Sequence, residues 1–173
     1  MTRASRSAVI ALGSNIGDRR DILQGAVDAI AGIDGVRLTG SSPVYETVPV
    51  GGPPQPDYLN AVVLADITVS PRVLLDQLHE VEAAFDRVRV VRWGPRTLDL
   101  DIITVAGERD DDPELTLPHP RAHERAFVLA PWHDADPGAV LPGHGRVADL
   151  LAGVGVSGIR RSGLPLVLPE VAS

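Results

Sequence analysis

The sequence predicts an α+β fold of the ferredoxin-like type, βαββαβ, with an antiparallel sheet, helices on its faces and long ligand-binding loops. Five segments have the pattern of strands, and two amphipathic helical segments with clear start signals lie between them. In the simplest such layout the helices cover one face and leave the other for ligands. The 173 residues fit one domain, with a tail beyond about residue 155 expected to be irregular.

The first strand and helix are predicted from the start of the chain. Residues 7–12 (SAVIAL) form a short apolar run that is typical of a buried strand. The turn GSNIGD follows, with Asp18 as the expected N-cap of a helix that Gly32 and Gly35 end. A glycine-bearing turn at this place could hold phosphate, but GSNIG matches no known phosphate loop, and a tight turn is the simpler interpretation.

Two more strands flank an irregular loop in the middle of the chain. Residues 36–45 are predicted as the second strand, and residues 58–68 as a long third strand. The loop between them, residues 46–57, contains four prolines and two glycines, which is typical of a lid, a binding loop or a mobile segment. Tyr58 and Asn60 share one strand face, where they would suit a flat heterocycle, although ordinary strand ends also carry such residues.

The second helix begins with strong signals. Ser70 is the expected N-cap and Pro71 the first helical residue. Glu82 is expected to lie off the apolar stripe, near the mouth of the loop that follows. The stripe itself consists of Leu74, Leu78, Val81 and Phe85.

The segment after this helix carries most of the charged residues that suggest chemistry. It begins as a basic loop with four arginines around a tryptophan, and it continues as a strand in which Asp99 and Asp101 share one face. Two carboxylates ~7 Å apart along a strand suit Mg²⁺, and neighbouring guanidiniums would clamp phosphate oxygens. The simpler alternative is a solvated strand face beside a loop that aids solubility. The loop residues are Arg87, Arg89, Arg92, Trp93 and Arg96.

The C-terminal third offers one further candidate. His119 lies between two prolines, near Arg121 and Arg125, where it could reach a phosphate or simply cap a helix. Phe127 is expected on the apolar side of a short helix. The acidic stretch 107–114 is expected to be a solvated turn.

Composition excludes several classes of function. The chain has no cysteine, which excludes disulfides and thiolate sites, and all sixteen basic residues are arginine, which excludes lysine Schiff-base chemistry. The net charge of −7 argues against a nucleic-acid partner. No apolar run approaches the ~20 residues of a membrane span, and the N-terminal apolar run is too short for a signal peptide, so a cytoplasmic location is expected.

Several motifs in order resemble one family. The run RWGPRTLDLDII at residues 92–103 is similar to the signature of 6-hydroxymethyl-7,8-dihydropterin pyrophosphokinases. The segments ALGSNIGD, SPVYETVPVG, QPDYLNAVV and PHPRAHERAFVLAP extend the resemblance over roughly residues 8–142. It implies a single catalytic domain that transfers pyrophosphate from ATP to the pterin hydroxymethyl group and releases AMP in folate biosynthesis.

The resemblance also implies site residues and cofactors. Asp99 and Asp101 would hold two Mg²⁺ ions, with Arg87, Arg89 and Arg96 as further catalytic residues. Apart from the resemblance, a monomer is the default because no self-association surface is evident in the sequence, and composition argues against a membrane or nucleic-acid partner. The implied ATP contacts are Leu75, Glu82, Arg87, Arg89, Trp93, Arg96, Ile102, Thr116, His119 and Arg125. The implied pterin contacts are Thr47, Val48, Val50, Tyr58, Asn60 and Phe127.

Three positions depart from the family pattern, and two rival functions stay open. Asp86 replaces a common glycine, His79 a glutamine, and Val48 a frequent proline. One rival is a ferredoxin-like module that binds a small ligand without chemistry. The other is a different Mg²⁺-dependent phosphoryl or nucleotidyl transferase.

Overall fold

The computed structural model describes residues 4–49, 54–85, 97–163 and 166–169. The strands are β1 (Arg6–Ser14), β2 (Val36–Ser41), β3 (Tyr45–Thr47), β4 (Tyr58–Ile67), β5 (Asp99–Val105), β6 (Asp110–Asp112), β7 (Leu115–Leu117), β8 (Val140–Leu141), β9 (Gly145–Arg146) and β10 (Ile159–Arg161). The helices are α1 (Arg19–Ala31), α2 (Pro71–Phe85), α3 (Ala126–Ala135) and α4 (Val147–Val154), with a 3-10 turn at Ala122–Glu124.

The main sheet has six strands, all paired antiparallel. Its order is β10-β3-β4-β1-β5, and β2 also pairs with β4. Because β2 and β3 lie along the same edge of β4, they act as one interrupted strand. The element order through β5 is therefore βαββαβ, which confirms the predicted ferredoxin-like α+β class.

The strand predicted over residues 36–45 is divided in two. Pro43 has no backbone N–H to give to the ladder, so the regular pairing stops there. Ser42 covers the gap, because its backbone N–H donates to the Val62 carbonyl at 2.8 Å and its Oγ accepts from the Val62 N–H at 2.9 Å. The first residues of the predicted loop, Glu46 and Thr47, belong to β3.

Helices α1 and α2 begin at the N-cap residues that the sequence predicts. The Asp18 carboxylate accepts from the Asp21 N–H, and α1 ends at Gly32. At α2, the Ser70 hydroxyl accepts from the Val73 N–H at 3.2 Å. Both helices pack their apolar stripes on one face of the sheet, where they form the larger core with residues such as Ile10 and Leu100.

The expectation of one open sheet face is wrong where α3 covers the sheet. Helix α3 is buried there through Val128, Leu129 and Trp132, and it packs on Val62 and Ile103. A helix this apolar has to be covered, and the second face of the sheet is the surface that covers it. The part of this face that lies beyond α3, at the C-terminal end of β1, is where the site residues occur.

The expectation of an irregular tail is wrong for residues 159–161. Strand β10 pairs with β3, with Ile159 opposite Thr47. Arg161 donates to Asp134 of α3 at 2.7 Å, and the Tyr45 hydroxyl donates to the same carboxylate. Leu166 and Leu168 then pack against the larger core.

The acidic stretch 107–114 is largely exposed, as expected of a solvated turn, but it also contains β6 and the turn of the β6–β7 hairpin. Arg72 of α2 binds two of its carboxylates, Asp112 at 2.9 Å and Glu114 at 3.1 Å. In the described parts of the chain, no helix has the length and apolar character to cross a membrane.

Candidate active site

Register places two of the predicted site residues, Asn60 and Asp99, in one row across three neighbouring strands. Asn60 of β4 is paired with Gly13 of β1, and Gly13 is paired with Asp99 of β5. Directly opposed residues in antiparallel strands share a face, so the Asn60 and Asp99 side chains lie on the same side of the sheet. Asp101 lies two residues further along β5, on the same face, and is paired with Ala11.

Asp99 and Asp101 project together from β5, as the alternation predicts. Leu98, Leu100 and Ile102 are buried in the larger core, on the opposite face. The two aspartates are only partly buried. The sequence prediction about their shared face is therefore confirmed.

A cavity of about 320 Å³ opens beside β5. Most of the nucleotide contacts that the resemblance implies in the described chain line it: Leu75, Glu82, Ile102, Thr116 and His119, together with Asp99 and Asp101. A larger groove of about 550 Å³ lies between α1 and α2, but none of the predicted site residues lines it. The smaller cavity is the candidate site because the titratable groups converge there.

His119 is held by backbone contacts on both sides. Its N–H donates to the Ile103 carbonyl at 2.8 Å, and its Nδ1 accepts from the Arg121 N–H at 3.2 Å. The Nδ1 contact ties the ring to the backbone of Arg121, the residue before the 3-10 turn. Burial, followed by the neighbouring charge of Arg125, lowers the pKa of His119 to about 4, although Asp99 opposes the shift and Arg121 adds to it.

We expect the free energy of unfolding to fall as the pH is lowered from about 6.5 to about 4. In this range His119 is protonated in the unfolded chain but stays neutral in the folded protein, because its pKa is lower there. The variant His119→Gln should show a weaker fall over this window. Urea unfolding at pH 7.5 and pH 5, without metal or nucleotide, measures the difference. The exposed His79→Gln is the control, and an unchanged pH dependence in His119→Gln would contradict the assignment.

A second group of side chains lies near the end of β4. The Asn60 amide is buried and donates from Nδ2 to the Thr47 hydroxyl at 3.2 Å. Tyr58 is half-buried beside it. At the start of α3, the Arg125 guanidinium lies 5.4 Å from the centre of the Phe127 ring. The structure therefore brings an amide, a hydroxyl and a partly exposed aromatic ring to one corner of the sheet.

The backbone N–H of Val48 is used within the fold. Its backbone N–H donates to the Gly158 carbonyl at 3.0 Å, so this donor is engaged by the segment before β10. Its side chain is 55% exposed. Five other predicted residues lie outside the described part of the chain: Val50, Arg87, Arg89, Trp93 and Arg96.

Sequence reasoning missed two residues that fix the loop before β4. Asn15 is fully buried and donates to Gln55 Oε1 at 2.7 Å and to the Pro56 carbonyl at 3.1 Å. Arg19 donates to the Asp57 carbonyl at 2.7 Å. The GSNIGD turn therefore anchors the loop that leads to Tyr58. A polar residue directly after a buried strand was the available signal, but its partner forty residues away was not.

Glu82 was predicted to lie off the apolar stripe of α2, and this is wrong. It follows Leu78 by four residues, so it falls on the buried face, and it is 7% exposed. Its Oε2 accepts from the Leu100 N–H at 2.9 Å. Since Leu100 lies between Asp99 and Asp101, this carboxylate holds the backbone that carries the acidic pair.

The donor set at this site fits Mg²⁺ shared with a substrate. In the segments that the structure describes, no cluster of three or more histidine or acidic side chains is placed to hold a metal. Mg²⁺ commonly takes one or two carboxylates and completes its shell with water and phosphate oxygens. A pair of partly buried aspartates beside a cavity is such a donor set, whereas a dedicated all-protein cage would need more ligands.

The fold and the site together define the class of protein: an α+β transferase that handles a phosphate chain beside a planar ring. The model of the family 7,8-dihydro-6-hydroxymethylpterin-pyrophosphokinase (HPPK) matches residues 9–137. The 2-amino-4-hydroxy-6-hydroxymethyldihydropteridine pyrophosphokinase from Methylorubrum extorquens is 42% identical over 93% of this chain and 99% of its own. Another from Pseudomonas aeruginosa is 41% identical over 88% of this chain and 94% of its own.

Solved structures support the fold. The chain resembles Plasmodium falciparum HPPK-DHPS, wild type, with pterin and p-hydroxybenzoate, with a TM-score of 0.69 and 14% identity over 93% of this chain. An HPPK-DHPS in complex with substrates gives a TM-score of 0.67 and 12% identity over 87% of this chain. The chain spans 46% and 43% of those longer proteins, so the likeness concerns one part of each.

The chain belongs to the 7,8-dihydro-6-hydroxymethylpterin-pyrophosphokinase family. It is a pyrophosphokinase that transfers pyrophosphate to the hydroxymethyl group of the reduced pterin in folate biosynthesis.

Proposed function

We propose that ATP is the pyrophosphate donor, that AMP is the leaving group, and that Asp99 and Asp101 hold Mg²⁺ at the site of transfer. The observation that carries the proposal is the projection of both carboxylates from one face of β5 at the edge of the cavity. The pterin hydroxyl oxygen forms a bond to the β-phosphorus, the bond between that phosphorus and the bridging oxygen to AMP breaks, and the hydroxyl proton is released.

Bound metal and protein side chains would make different contributions to the transfer. When bound, Mg²⁺ (two ions, by the family resemblance) neutralises phosphate charge and acidifies the attacking hydroxyl. The residues of the chain supply position and exclude water, which are the main contributions a protein makes to phosphoryl-type transfer. The residues that would hold the ions are Asp99 and Asp101, whose carboxylates share one face of β5.

The nucleotide is proposed to occupy the cavity beside β5. Because His119 Nδ1 accepts a backbone hydrogen bond, the neutral ring carries its proton on Nε2, from which it can donate to a phosphate oxygen. Leu75 and Ile102 offer apolar walls, and Thr116 a hydroxyl. Arg125 adds a positive charge close to His119.

The arginine loop completes the nucleotide site in this proposal, on the strength of the sequence motif. Arg96 is assigned to permanent phosphate binding, and Arg87 and Arg89 to the charge that develops on the leaving group. Trp93 is assigned to the nucleotide. The loop lies outside the described residues, so these roles come from the family resemblance.

The pterin is proposed to lie at the corner formed by β3, β4 and α3. Tyr58 and Phe127 would enclose the ring, since aromatic side chains stack on flat heterocycles. Asn60 and Thr47 would read its polar edge, with backbone groups of Val48 and Val50. Asn60 and Asp99 lie in one row of the sheet, so a ring bound at Asn60 would have its hydroxymethyl group within reach of the acidic pair if that group pointed along the row.

One assay tests the proposed donor, product and metal together. The protein is incubated with ATP, Mg²⁺ and 6-hydroxymethyl-7,8-dihydropterin, and the nucleotide product is identified. We expect AMP, and we expect removal of Mg²⁺ with a chelator to abolish its formation. Formation of ADP would instead show a γ-phosphoryl kinase, and binding without turnover would show the ligand-binding module.

A further inference from the structure

Gly13 occupies the centre of the row that joins the two halves of the site. It is in β1, between Asn60 of β4 and Asp99 of β5. Neighbouring strands lie about 4.8 Å apart, so the backbones of these two residues are roughly 10 Å apart. The backbone of Gly13 lies between them. A glycine in the interior of a central strand weakens pairing and commonly marks a close approach to the backbone.

The neighbours of Gly13 show what the missing side chain permits. A Cβ built there would lie 3.0 Å from Asn60 Oδ1 and 3.6 Å from Tyr58 Cδ1. The backbone of Gly13 is extended, within β1, and has no positive φ that would require glycine. Space, and not backbone conformation, is therefore the reason that a side chain is unfavourable.

The orientation of the Asn60 amide depends on that space. Its Nδ2 donates to Thr47 Oγ1, which directs the carbonyl oxygen over Gly13. From there the oxygen can accept from N–H donors on the edge of a flat ring. A methyl group at position 13 would displace this oxygen and would occupy space that the ring needs.

We infer that Gly13 sets the affinity for the pterin: the absence of a side chain keeps the Asn60 carbonyl oxygen in place as an acceptor and leaves room for the ring between Asn60 and Asp99. The inference rests on the proposed pterin site. It assigns Gly13 as a positioning residue that acts through Asn60, and it assigns no contact with ATP.

The test compares Gly13→Ala with the wild-type enzyme in steady-state kinetics. Adding one methyl group to a fitted site costs roughly ten- to two-hundredfold. We expect the KM for the pterin to rise within that range, while the KM for ATP stays within about twofold. The matched control is Gly40→Ala, another strand glycine without positive φ, whose added Cβ would meet only the flexible side chain of Leu64 at 3.3 Å. It should leave both constants unchanged.

Asn60→Ala and the double variant separate the possible failures. If Gly13 acts through Asn60, most of the effect of Gly13→Ala should disappear in the Asn60→Ala background. An unchanged pterin KM in Asn60→Ala would overturn the proposed pterin site itself. An increased KM in Asn60→Ala together with an unchanged KM in Gly13→Ala would overturn only the role of Gly13. Thermal unfolding of each variant shows whether the fold is retained, and isothermal titration with the pterin gives the affinity directly.

Discussion

Asp99→Asn and Asp101→Asn are each expected to lower kcat/KM for pyrophosphate transfer by about a thousandfold or more. Asparagine keeps the shape of the side chain but loses the charge that binds a hard cation. A metal ion that neutralises phosphate charge contributes several kcal/mol to the transition state, and every 1.36 kcal/mol is a factor of about ten in rate. Steady-state kinetics over a series of Mg²⁺ concentrations measure both the loss and the expected weakening of Mg²⁺ dependence.

Thermal unfolding of both variants shows whether the fold is retained, so that a loss of activity can be assigned to the site. Asp66→Asn is the matched control because Asp66 is a strand aspartate at the far end of β4, where it accepts from Arg37 at 2.8 Å. It should keep full activity. Retention of more than a tenth of wild-type kcat/KM by both site variants would show that the pair does not hold the metal.

The features that the sequence predicts well are those set by neighbours along the chain. Alternation over residues 98–103 is enough to separate the aspartates from Leu100, because successive strand side chains point to opposite faces. The N-caps Asp18 and Ser70 are likewise local, since each accepts from an N–H three residues later.

The features that it predicts poorly depend on partners far along the chain. Strand β10 forms by pairing with the edge of β3. A three-residue segment is too short for its periodicity to predict a strand. The pKa of His119 reflects burial and the charges of Arg125 and Asp99, which the fold brings together. The sequence alone does not distinguish Gly13 from the other glycines. Only the strand register shows that it lies between Asn60 and Asp99.

These long-range relations explain how a site for two substrates is built from one sheet. Asn60 and Asp99 come from strands separated by β1, so the ring site and the acidic pair are fixed relative to each other by ladder hydrogen bonds. Sites on rigid elements hold reacting groups more accurately than sites on loops. A disturbance of the backbone of β5 should therefore reduce activity even where no substrate contact is lost.

Glu82→Ala tests that argument, because Glu82 is buried and its carboxylate accepts from the backbone N–H of Leu100. The alanine variant removes this acceptor from a buried donor, which costs on the order of 1–3 kcal/mol in the free energy of unfolding. It also releases the peptide between the two aspartates, and a displacement of about 1 Å at a reacting centre can lower the rate about a hundredfold. Urea unfolding and kcat/KM, measured on the same preparation, give both effects.

Glu82→Gln distinguishes a positioning role from a role of the charge. The glutamine carbonyl oxygen can still accept from Leu100, so we expect it to recover most of the stability and most of kcat that alanine loses. Glu80→Ala, on the same helix but exposed, should change neither quantity. If Glu82→Gln were as inactive as Glu82→Ala while unfolding like the wild type, the negative charge of Glu82 would matter to the substrate, and the anchoring of Leu100 would not explain its effect.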